Sequence, residues 1–204
     1  MKNSILTSPR RRGFTLVEMI GVLAVIAVLA GLLVPRVFSA IGQSRINTAA
    51  LGYNSLKSAS LLYFGKYGKF AGTGGTLASS AMSNNWDSAV LLAEGFVEKP
   101  FDTQLATLTA VNMVDAAGSV SVTANAAGTY NLAGSTAGLN TVIGSSVIEA
   151  VLTGVSADDA KELNDRIDGA TLGAALGSSD IKGRVKFNIA TGATGTVHLY
   201  IAHK

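Results

Sequence analysis

Twenty-one residues near the start of the chain, Phe14 to Val34, are apolar except for Thr15, Glu18 and two glycines. As a helix this run spans roughly 31 Å, about the hydrocarbon thickness of a bilayer. Three arginines, Arg10, Arg11 and Arg12, stand immediately before it, and Pro35 stands immediately after. A segment of this length and composition excludes an ordinary water-soluble start to the fold. The basic residues lie only on its N-terminal side, which places residues 1–13 in the cytoplasm and the C-terminal part outside.

Glu18 is the anomaly within the run. An intramembrane carboxylate is costly and asks for a partner. A secretory signal peptide would have a shorter apolar core and a small-residue cleavage site, for which "VFSA" (37–40) could stand, but it leaves Glu18 unexplained. A plain membrane anchor explains length and orientation, but neither Glu18 nor the abrupt "RRRGF" junction. A cut between Gly13 and Phe14 would create an α-amino group four residues before Glu18, on the adjacent helical position. That amine, in the same chain or a neighbouring copy, could neutralise the carboxylate inside a bundle of apolar helices.

The stretch "RRRGFTLVEMIGVLAVIAVLAGLLVP" resembles the type III signal of the type IV pilin and type II secretion pseudopilin superfamily. The carriers are the short basic leader, Gly13, the aromatic Phe14, "TLVE" with the acid fifth after the junction, and Pro35. The resemblance implies cleavage after Gly13 by a prepilin peptidase in the inner membrane and N-methylation of Phe14. It also implies extraction from the lipid and helical polymerisation by an inner-membrane assembly platform, with Phe14 and Glu18 as assembly residues.

The helix is expected to continue past the membrane. Ile46, Ala49, Tyr53, Leu56, Ser60 and Tyr63 recur at three- and four-residue spacing and define one face. Phe38 and Ile41 lie one step out of that phase. Pro35 lacks the N–H that the Gly31 carbonyl would accept, so Gly31 and Pro35 mark the expected kink. "FGKYGKF" (64–70) ends the helix, with Lys66 and Lys69 near its negative end. The expected organisation is a cleaved leader (1–13), a transmembrane or filament-core helix (14–35), its amphipathic continuation (36–70) and a globular α+β domain (71–204).

Within that domain, residues 84–102 read as a short helix capped by Asn84 or Asn85, with Ala89, Leu92 and Ala93 inward and Gly95 as its stop. Many major pseudopilins show a similar helix, Gly-aromatic turn and Pro–Asp stretch, often with a tryptophan after the Asp that is missing here. "VIEAVL" (147–152) and "SADDAKELNDRIDG" (156–169) read as helices, the second opened by a Ser156–Asp159 box and closed by Gly169, with Ala160, Leu163 and Ile167 inward. Strands are expected at 119–124, 129–133, 184–190 and 196–202, the last two joined by "TGATG" as a hairpin. The fold class is α+β, a long N-terminal helix whose distal half packs on a small antiparallel sheet.

Charge supports association rather than chemistry. Removing residues 1–13 leaves twelve basic side chains against thirteen acidic ones. Residues 14–70 carry Arg36, Arg45, Lys57, Lys66 and Lys69 against Glu18 alone, whereas residues 71–157 carry Lys99 against six acids. Opposite signs in two regions of one chain suit repeated self-association and, equally, two solvated surfaces, and an acidic outer region speaks against a nucleic-acid partner.

Cysteine is absent, which excludes disulfides and thiolate metal sites. There is no phosphate loop and no HExxH, and "IGSSV" and "LGSSD" lack the last glycine of a nucleophile elbow. His198 and His203 read as surface residues without an accompanying acid and nucleophile. Asp158, Asp159, Asp165 and Asp168 would suit calcium, which some pseudopilins bind in a C-terminal loop, but the spacings Lys161–Asp165 and Glu162–Arg166 give a solvated helix face instead.

The expectation is a non-catalytic filament subunit without cofactor, catalytic residue or metal ligand. It is made in the inner membrane with its domain outside and ends in a surface or periplasmic filament. Three alternatives stay open: the major pseudopilin of a type II secretion system, a minor tip pilin for adhesion or uptake, and an anchor that never polymerises.

Overall fold

A computed structural model describes residues 13–71, 85–115, 124, 127–132 and 145–204. The leader, Asn84 and nearly all of the expected strand at 119–124 lie outside the described residues. The architecture is α+β: a long N-terminal helix, α1 (Leu16–Tyr67), and a four-stranded antiparallel sheet. The chain divides into two compact units, residues up to Ile41 and Gly42–Lys204.

In the second unit the sheet has the order β1-β2-β4-β3, with β1 at Leu108–Asp115, β2 at Ser146–Ser156, β3 at Val185–Phe187 and β4 at Thr194–His203. A second helix, α2 (Ala157–Ile167), follows β2 directly. The α1 face anticipated from spacing is the one that packs: Ile46, Ala49, Tyr53, Leu56, Ser60 and Tyr63 are all buried. They join Ile148, Ala150, Leu152, Val197, Leu199 and Ile201 in one core. Tyr53 adds a directional contact, its hydroxyl donating to the Tyr200 carbonyl at 2.6 Å. The helix ends at Gly68, whose positive φ of 69° suits a residue without Cβ and whose N–H donates to Phe64 O at 2.7 Å.

Five expectations need correction. Residues 147–152 are strand, not helix, because β2 is an inner strand covered on both faces. Its neighbours are β1 and β4, and residues 147–150 are buried without alternation. An apolar run of that kind carries no period from which to tell strand from helix. The helix at 84–102 is a six-residue π-helical turn, Asp87–Leu92. Its wider winding turns Trp86, Asp87, Val90 and Leu91 inward, while Ala89, Leu92 and Ala93 are exposed. Asn85 is left-handed (φ 57°) and no side chain caps the turn. The buried Asp87 carboxylate instead accepts from Phe101 N at 2.7 Å.

The strand at 129–133 reduces to one parallel bridge, Asn131 to Lys182. The strand at 184–190 shortens to Val185–Phe187, with Asp168 taking the Arg184 and Val185 amides at its start. Strand β1 was not anticipated at all. By contrast, α2 begins as expected, Ser156 Oγ accepting from Asp159 N at 3.1 Å. Lys161 and Asp165 pair at 2.6 Å.

The fifth correction concerns His198. It lies opposite Val197 and Leu199 on its strand, as expected, but that second face of the sheet is covered by residues 127–132. His198 is buried, with Nδ1 at 3.4 Å from Glu149 Oε1. Glu149 Oε2 accepts from Tyr130 Oη (2.7 Å) and Gly128 N (3.1 Å). Beside them the buried Lys186 ammonium donates to Thr129 O at 2.9 Å and sits 4.4 Å from the Tyr130 ring centre. Burial alone would raise the Glu149 carboxyl, but His198, Tyr130 and Gly128 together hold it below its ordinary value. Burial pushes the Lys186 ammonium down to about 8, with Glu149 opposing the shift.

A pH test follows from Lys186. Its native amine gives up a proton near pH 8 and its unfolded amine near 10.5, so the unfolded chain binds more protons between those values. Stability therefore rises with pH across that window, by at most about 3 kcal/mol from this group. Denaturant titrations between pH 7 and 10 should show this rise in the parent protein relative to Lys186→Met, which lacks the titration. Parallel curves for the two proteins would refute the burial of a charged amine.

Candidate functional site

The sequence around Phe14 is built as a helix start. Thr15 precedes the first helical residue, Leu16, and Glu18 is the third residue of the helix. Thr15 Oγ1 accepts from Glu18 N at 3.3 Å, and Glu18 Oε2 accepts from Thr15 N at 2.8 Å and from Thr15 Oγ1 at 2.9 Å. This is a reciprocal capping box, which satisfies backbone donors that a helix start leaves without an intrahelical acceptor. The Glu18 carboxylate thus has a partner within its own chain. The Phe14 amine was the partner anticipated, and Thr15 was not singled out. The signal was present, since "TLVE" is itself a T-x-x-E box.

Gly13 and Phe14 lie just outside α1, and Phe14 is 83 % exposed. A Cβ at Gly13 would meet no atom within 4 Å apart from its chain neighbours, and Gly13 is exposed. From Met19 to Val34 the helix is apolar on all sides, and none of its most apolar window is buried. α1 is long and apolar enough to cross a membrane. It stays helical through Gly31 and Pro35, and Ser39 Oγ donates to Pro35 O at 3.2 Å. The anticipated site residues therefore fall together at one end of α1, Gly13, Phe14 and Glu18 within six residues, with Gly31 and Pro35 farther along it.

The carboxylates considered for calcium are engaged separately. Asp159 bonds Ser156, Asp165 pairs with Lys161, and Asp168 accepts two backbone amides. No group of three or more metal-ligating side chains of the His, Cys, Asp and Glu type occurs among the described residues.

Residues 8–34 match the family model described as the prokaryotic N-terminal methylation motif. That motif is the prepilin-type signal of type IV pilins and pseudopilins, and it supports a pilin- or pseudopilin-like protein processed by prepilin peptidase. With the apolar helix, it fits a membrane-anchored precursor. No curated protein and no solved structure matches the chain.

Removing the box should loosen the first turn without unfolding the domain. In detergent micelles, Thr15→Ala should speed hydrogen exchange of the amides at 16–19 by about fivefold, the loss usual for an N-cap, and leave residues 46–63 unchanged. Equal exchange in both proteins would show that the box carries no weight.

Proposed function

We propose that this chain is a structural subunit of a type IV pilus or pseudopilus-like filament. It does mechanical rather than catalytic work. Prepilin peptidase cuts after Gly13, and the new Phe14 amine is methylated. The mature subunit waits in the inner membrane and then polymerises through α1 on an assembly platform. The observation that carries this reading is the exposed Gly13–Phe14 junction placed directly before a helix whose first half, past Glu18, is apolar on every side and exposed. Within the filament, Gly31 and Pro35 give α1 its bending point. In a bundle of such helices, the Glu18 carboxylate and the Phe14 amine of a neighbouring copy neutralise each other, and two unpaired charges there disfavour wrong registers.

The test is intact-mass analysis of the mature protein. It should begin at Phe14 and carry one methyl group. An N-terminus near Ala40 would instead identify a secretory signal peptide and end the filament reading. Gly13→Val should leave full-length precursor in the membrane, since a side chain there obstructs close approach of backbone to a peptidase. Glu18→Ala should be cleaved normally yet yield few or no sheared filaments, and Glu18→Gln should be less impaired. Assembly of Glu18→Ala at the parent level would favour a plain anchor or a tip subunit.

A further inference from the structure

Three residues of α1 are exposed among the described residues. Phe38 is 69 % exposed, Ile41 44 %, and Arg45 is exposed as well. Their spacing of three and four residues puts them on one stripe. They follow the 21-residue apolar run, so hydrocarbon of ordinary thickness does not reach them. Arg45 forms no ion pair among the described residues, and no acidic residue occurs anywhere from 19 to 86. The stripe is thus apolar at one end, basic at the other, and unpaired by its own helix.

A complementary surface lies in the second unit. A groove of about 540 Å³ runs between α1 and the segment 96–102, lined by Leu51, Gly52, Leu56, Phe96, Pro100 and Phe101. Its floor depends on Gly52, because a Cβ there would meet the Phe101 ring at 2.9 Å. Leu51, on its wall, is 70 % exposed. Glu98 and Asp102 stand exposed in its lining with Lys99 between them, leaving a net negative edge.

We propose that this groove receives the Phe38–Ile41–Arg45 stripe of a second copy of the chain, Phe38 and Ile41 against the apolar lining and Arg45 against Glu98 and Asp102. The inference rests on the filament reading and specifies one of its contacts. Groove and stripe are different surfaces of one molecule. Their contact is therefore heterologous, leaves one of each unfilled on every pair, and builds an open helical array wherever the rotation between copies does not close a ring. Charge fixes the register and the apolar stripe supplies the burial.

Since the chain has no cysteine, cross-linking gives a clean test. Ile41→Cys and Ser55→Cys in one full-length chain should, on oxidation of sheared filaments, give a ladder of dimers, trimers and higher species. Neither single variant should pass the dimer. Arg45→Glu should lower the ratio of filament to membrane-held mature subunit by about tenfold or more, and adding Glu98→Arg and Asp102→Arg should restore it. Filaments that form but neither cross-link nor respond to Arg45→Glu would overturn the groove contact and leave the filament reading standing. Failure of the triple variant to recover, with subunit amount and cleavage equal to the parent, would also overturn it. Absence of any polymer from the parent chain would end both.

Discussion

A helix that is apolar on every side has no stable place in water, and that constraint governs the rest of the molecule. Over its first half α1 must be covered by lipid or by other helices. Over its second half, from Ile46 to Tyr63, one face is covered by the chain's own sheet. The same element therefore belongs to two environments, and only the second is supplied by the fold. The capping box at Thr15 and Glu18 fits this division. It satisfies the helix start locally, so the polar groups at the edge of the apolar run do not depend on the outer domain.

The sheet domain solves a different problem. Its sheet is buried on both faces although the chain is short. One face meets α1 and α2, and the other meets residues 127–132. The second face is closed by a small charged cluster rather than by apolar packing alone. Glu149 and Lys186 bind that loop by its backbone and by the Tyr130 side chain at once, and His198 stands against Glu149. Breaking one partner of such a cluster leaves a buried charge uncompensated, so it favours a single seating of that loop.

These two environments explain what was legible in the sequence. The long helix, its end at Gly68 and its buried stripe were all readable, because a helix covered on one side keeps its 3.6-residue period. The Ser156 cap of α2 was readable for the same local reason. The β2 run at 147–152 was not, because cover on both faces removes the alternation that marks a strand. His198 was read as a surface residue because its covering segment lies more than sixty positions away in the chain. The π-helical turn at Asp87–Leu92 shifted the inward residues by its winding, which no spacing rule for α-helices anticipates. At the N-terminus the junction, the aromatic residue and the acid were legible as a set. The role of Thr15 was written in the same four letters and passed over.

The seating of α1 on the sheet also decides how the protein bears mechanical load. A pull on the second half of α1 would reach the sheet through the whole row from Ile46 to Tyr63 and through the Tyr53 hydroxyl on Tyr200 O, as well as through the chain itself. Many small contacts and one directional bond would then share the load, and no single side chain would carry it.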